Sequence, residues 1–88
     1  MTKEELAQKI AQGEYTDCQR DSKFSISFKI GDVKASVTKV GNSIIAMTVI
    51  TTEISEDYYN KILIEALNNE MAELRRKADE IRREISDL

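Results

Sequence analysis

Apolar and polar positions change period twice along this chain, and the changes divide it into helix, sheet and helix. Leu6, Ala7, Ile10 and Ala11 recur at helical spacing behind Thr2, and Glu5 stands three residues after Thr2 as in a capping box. Gly13 can close this short amphipathic helix, which occupies residues 1–13. Phe24, Ile26, Phe28 and Ile30 then alternate with Ser25, Ser27 and Lys29, and beyond Gly31-Asp32 Val33, Ala35 and Val37 alternate with Lys34, Ser36 and Thr38. A period of two on either side of a two-residue turn predicts a hairpin. After Gly41-Asn42, the run Ile44 to Thr51 is apolar on both faces and reads as a third strand, so the expected sheet covers residues 23–52. The segment Glu14 to Lys23 is polar and aperiodic, and reads as a loop carrying Tyr15 and Cys18.

The register of the third strand depends on its turn. A two-residue turn at Gly41-Asn42 pairs Ala46 with Val37 and Thr48 with Ala35, which puts Ile45, Met47 and Val49 on the otherwise polar face. A three-residue turn with a bulge exchanges the two faces, because side chains alternate along a strand.

Residues 55–88 read as one long helix. Ser55 is placed as N-cap, Glu56 and Asp57 lie where the helix dipole favours anions, and Ile54 can staple onto Tyr59. Between Tyr58 and Leu67 the apolar stripe is broad enough to lie on a sheet. Farther on it narrows to a seam: Ile64, Leu67, Met71, Leu74, Ala78, Ile81, Ile85 and Leu88 alternate spacings of three and four, as in a coiled coil. Met71, Leu74, Ala78, Ile81, Ile85 and Leu88 are therefore the expected dimer interface. The competing view is a solvated terminal helix held by Glu73–Lys77 and Asp79–Arg83 pairs, each contributing only about 0.2–0.5 kcal/mol. The expected fold is α+β: α-β-β-β-α, a three-stranded antiparallel meander with a long C-terminal helix, coiled-coil-like at its end.

With 88 residues there is room for one domain and one small core, whose missing burial association can supply. The 41% apolar and 33% charged composition, with no Pro and three Gly, describes an ordered helix-rich chain. No stretch approaches a membrane span, and Met1 to Glu5 carries no apolar leader. Cys18 is the single cysteine, so an intrachain disulfide is excluded and a reducing, cytoplasmic location is expected.

Chemistry is sparse. Without His, Cys18 has no imidazole to activate it, and no His/Cys cluster exists to hold zinc or iron. Gly31 and Gly41 serve turns rather than a phosphate loop, and Glu4, Glu5, Glu56 and Asp57 sit where helix starts want carboxylates. Of the adjacent Tyr58 and Tyr59, one is expected on the sheet and the other at its rim. The expectation is a non-enzymatic protein with no cofactor, metal or catalytic residue. Arg75, Arg76, Lys77, Arg82 and Arg83 form the concentration of positive charge able to touch DNA phosphates, although Glu73, Asp79, Glu80 and Glu84 dilute it.

Three antiparallel strands, an acidic helix start and a long helix containing Leu63-Ile64-Glu65-Ala66-Leu67-Asn68-Asn69-Glu70-Met71, with Val33-Lys34 opening a strand, resemble the YbaB/EbfC family of small nucleoid-associated proteins. The resemblance covers roughly Phe24 to Arg83. It implies a homodimer that associates with duplex DNA with little sequence preference. The family's long N-terminal helix has only Thr2 to Gln12 as counterpart here. Two functions therefore stand side by side: a homodimeric DNA-associated protein, and a protein–protein interaction module, a small inhibitor or adaptor, acting through the sheet face and the C-terminal helix. The charges flanking the seam leave parallel and antiparallel pairing open, since Glu70 to Arg75 suits the first and Lys77 to Arg82 opposes it.

Overall fold

A computed structural model describes residues 1–87 and shows the α+β order, with a short helix, an antiparallel meander and a long helix. Helix α1 spans Lys3–Ala11 and α2 spans Glu56–Ser86. The sheet contains five strands rather than three: β1 Thr16–Ser22, β2 Ser25–Ile30, β3 Val33–Val40, β4 Ser43–Met47 and β5 Thr51–Ile54, in spatial order β1-β2-β3-β4-β5.

Both additions arise where the sequence hides its strands. The segment expected as a loop, Glu14 to Lys23, contains β1, an edge strand on which Cys18 is the one buried residue. A strand buried at a single position shows no alternation. Its register against β2 also shifts between Thr16 and Gln19 and between Arg20 and Ser22, and Asp17 adopts φ 56°, a left-handed conformation that Asp tolerates better than most residues. The expected third strand is divided by a tight turn at residues 48–50. There the Thr48 N–H donates to the Ile50 carbonyl at 2.7 Å and the Ile50 N–H donates to Thr48 Oγ1 at 3.3 Å. Ala46 does pair with Val37, as a two-residue turn requires, but Thr48 has left the sheet and does not pair with Ala35. Ile45 and Met47 consequently lie on the polar face, while Val49, at the turn, is 98% exposed.

The β2–β3 and β3–β4 turns place glycine at positive φ in the first central position, Gly31 at 60° and Gly41 at 61°, with Asp32 and Asn42 not positive. This is the type II′ pattern, whose twist matches that of the strands it joins. It fixes the register and thus which face is apolar.

One face of the sheet carries Cys18, Ile26, Phe28, Ile30, Ala35, Val37, Ile44 and Ala46, all buried beneath Leu6 and Ile10 of α1 and Tyr59, Ile62 and Ala66 of α2. The helices divide this face: α1 packs toward β5 and α2 toward β1. The opposite face is polar except for Val40, Ile45 and Met47, and Ser25 and Thr38 hydroxyls meet on it at 3.4 Å. Thr2 caps α1 as expected, its Oγ1 accepting from the Glu5 N–H at 3.1 Å. Ser55 is extended and precedes α2, but its side chain makes no capping bond, so the acidic pair Glu56 and Asp57 must offset the helix start. Tyr59 is buried on the sheet and Tyr58 stands half-buried at the rim with Lys61 Nζ 5.8 Å from its ring centre.

Candidate interaction surface on the C-terminal helix

Two contacts mark where α2 leaves the body of the protein. The Asn69 side-chain amide donates to the Cys18 carbonyl at 3.0 Å, and Arg20 reaches from β1 to Glu70 with a bidentate pair, Nε to Oε1 at 3.1 Å and Nη2 to Oε2 at 3.0 Å. The amide satisfies a backbone acceptor on an edge strand, and the planar guanidinium fork fixes direction as well as distance. The ion pair is more than a third exposed at both ends, so its net contribution to stability is within about 1 kcal/mol. Its effect is to aim the helix.

Beyond Glu70, every described residue of α2 is exposed. Sixteen residues, from Met71 to the helix end at Ser86, project about 24 Å past the last of these contacts. This projection accounts for the 55 Å long dimension of a molecule only 28 by 19 Å across.

The expected seam is exposed along this projection. Met71, Leu74, Ile81 and Ile85 are each at least half exposed, with Leu74 at 64%, and Ala78 is open as well. Ile64, 55% exposed, continues the stripe back beside the sheet, whereas Leu67 is half-covered. Leu88, the last expected interface residue, lies outside the described residues. At 100° per residue, the stripe is turned about 110–120° from the side bearing Tyr59, Ile62 and Ala66. One helix thus has two apolar directions, and only one is covered.

The basic residues share the projection but are not free to act as one patch. Arg76 is held between Glu73 and Glu80, the latter at 2.8 Å, and Arg82 lies 3.8 Å from Asp79. These replace the expected Glu73–Lys77 and Asp79–Arg83 pairs, because a guanidinium fork can engage carboxylates one turn before and one turn after it. The Arg76 hydrogen bond holds the Glu73 carboxyl below the usual carboxylate range. Among the described residues Arg75, Lys77 and Arg83 have no carboxylate within 4 Å.

An open groove of about 720 Å³ lies under the start of the projection, lined by Cys18, Gln19, Ala66, Asn69, Leu74 and Lys77 among others. The thiol in its wall is held in its protonated form at neutral pH. Burial, followed by the charges of Glu65 and Asp17, pushes Cys18 up to about 11. The folded chain therefore holds this proton more tightly than the unfolded chain does. The associated stability is intact below the ordinary thiol pKa, roughly 8.5, and is lost as pH rises through about 11. Iodoacetamide at pH 8 is expected to label Cys18 far more slowly in the native protein than in denaturant, with the native rate climbing above pH 10. Equal rates in the two states would contradict the buried placement. In a loop, as the sequence suggests, Cys18→Ser would cost little; the burial of Cys18 raises the expected cost to about 1–3 kcal/mol, since a hydroxyl would replace a packed thiol, unless it finds a partner.

Among the described residues no group of three or more His, Cys, Asp or Glu side chains converges as a metal site, and no helix is long and apolar enough to cross a membrane. No family model, curated protein or solved structure matches this chain. The fold and the surface define an α+β protein with a one-sided five-stranded meander and a projecting helix that carries an uncovered apolar stripe.

Proposed function

We propose that this protein is a non-enzymatic interaction module that works through the exposed stripe of α2, by helix-on-helix association. The observation that carries the proposal is the second apolar direction of α2: Ile64, Met71, Leu74, Ile81 and Ile85 repeat at seam spacing on a side of the helix that the sheet does not cover. A solvated helix has no need of this stripe. The sixteen exposed residues are held by local pairs alone, and packing an amphipathic face against a second helix is the usual source of helix stability in proteins. Ile45 and Met47 on the sheet's open face offer a smaller second contact area for a protein partner.

Duplex DNA association, the function implied by the YbaB/EbfC resemblance, draws less support from the charges. From Met71 to Asp87 the cations Arg75, Arg76, Lys77, Arg82 and Arg83 are matched in number by Glu73, Asp79, Glu80, Glu84 and Asp87. Binding that releases counterions needs a net positive surface. The two functions separate in a gel-shift titration with two unrelated duplexes at about 50 mM and 200 mM salt. The interaction module is expected to shift neither duplex at the lower salt. Shifts of both duplexes, weakening steeply with salt and weakened again in Arg75→Ala and Arg83→Ala, would replace it with the DNA function.

A further inference from the structure

We infer that the occupant of the α2 stripe is a second copy of this chain, paired along residues 64–85; the inference rests on the proposal that the stripe is an interaction surface. Three properties of the helix point to self-association rather than to a partner of different composition.

The first is the continuity of the seam. Ile64, Leu67, Met71, Leu74, Ala78, Ile81 and Ile85 are all apolar, and no Asn or Lys interrupts the seam positions to demand a matching polar group from a different helix.

The second is charge. The five cations and five anions from Met71 to Asp87 sum to zero, so the two projecting helices meet without net repulsion although each whole chain carries a net charge of -3, while a uniformly acidic or basic helix gains no net attraction from this segment. Both signs also flank the seam on one helix, with Glu70 and Glu84 on one side and Lys77 between them, and Arg75 and Arg82 on the other. Each copy brings the complement of part of its own pattern.

The third is area. The paired stretch runs about 32 Å on a helix about 10–12 Å across, and covering nearly half of that surface removes roughly 500 Å² from each copy. The total, about 1,000 Å², is at the lower bound for a specific interface. It therefore fits a dimer that forms at micromolar concentration and dissociates on dilution. Because nothing else covers residues 71–86, their helix is coupled to the association: dilution that separates the copies leaves the projection to fray from its C-terminal end.

The test is sedimentation equilibrium on the full chain from about 1 to 200 μM, with far-UV circular dichroism on the same samples and 8-anilinonaphthalene-1-sulfonate fluorescence as a probe of the stripe. The expected result is twice the chain mass at the highest concentration, approaching the monomer on dilution, with loss of helical signal following the same curve. A monomeric mass throughout overturns the second copy as occupant. The dye then separates the two failures. Dye binding that is lost in Leu74→Glu/Ile81→Glu leaves the stripe an interaction surface for another protein, whereas no dye binding removes that proposal as well. A dimer that persists in the double variant also overturns the inference, because it places the interface elsewhere.

Discussion

Replacing Ile62 by alanine is expected to lower the stability of the fold by about 2–5 kcal/mol, the usual cost of truncating a fully buried isoleucine. Ile62 has no exposed surface and stands between Tyr59 and Ala66 on the side of α2 that faces the sheet. The substitution removes contacts with apolar side chains of the sheet and leaves a cavity in a small core. Natural domains have total stabilities of only about 5–15 kcal/mol, so the loss is a large fraction of the whole. At the scaling for a domain of this length, the melting midpoint should fall by at least about 10 °C. Urea unfolding measures it directly. A change below about 1 kcal/mol would mean that α2 is not held on the sheet by this side chain.

The paired substitution Leu74→Glu/Ile81→Glu acts on the same helix and should do the opposite. Both residues are more than half exposed within the chain, and Glu is a good helix former, so the sheet and its packing against α1 and the first half of α2 should be undisturbed. Association should disappear. Leu74 and Ile81 are 64% and 56% exposed, so covering what remains contributes about 1–2 kcal/mol for each side chain, and a dimer buries two copies of each, a total of roughly 4–7 kcal/mol. A micromolar dissociation constant corresponds to about 8 kcal/mol, so losing the four side chains and burying four carboxylates is enough to abolish it. Size-exclusion chromatography with light scattering should report a folded monomer, with Cys18 still protected from alkylation. An unchanged elution profile and mass would show that the stripe is not the interface.

The contrast between Ile62 and Leu74 also explains what could be read from the sequence. The long helix, its start at Ser55 and Glu56 and the apolar stripe from Ile64 to Ile85 were legible because a period persisting over many residues outweighs local noise. The hairpin of Phe28 and Val37 was legible for the same reason, aided by Gly31. β1 was not, since an edge strand with Cys18 as its single buried residue has no period to detect, and its bulge at Asp17 interrupts what pattern remains. Nor was the division of the third strand, because the break at residues 48–50 is made by Thr48 bonding to a neighbouring backbone amide and involves neither Gly nor Pro. The candidate surface was legible as a stripe, whereas the aim of the helix was not. Arg20 and Glu70 are fifty residues apart in sequence and meet only because β1 exists. The pairing of Arg76 with Glu73 and Glu80 likewise takes two of the three carboxylates within a turn, a choice that periodicity does not encode.

Amide hydrogen exchange along α2 tests the central claim most directly, because it resolves the two halves of the helix in one experiment. Measured at about 200 μM, at about 1 μM and in the Leu74→Glu/Ile81→Glu variant, residues 59–66 should be protected in all three samples, held by the sheet. Residues 71–86 should be protected in the concentrated parent and exchange freely in the other two. Free exchange of residues 71–86 in the concentrated parent would show that no partner copy covers the projection and would contradict the account.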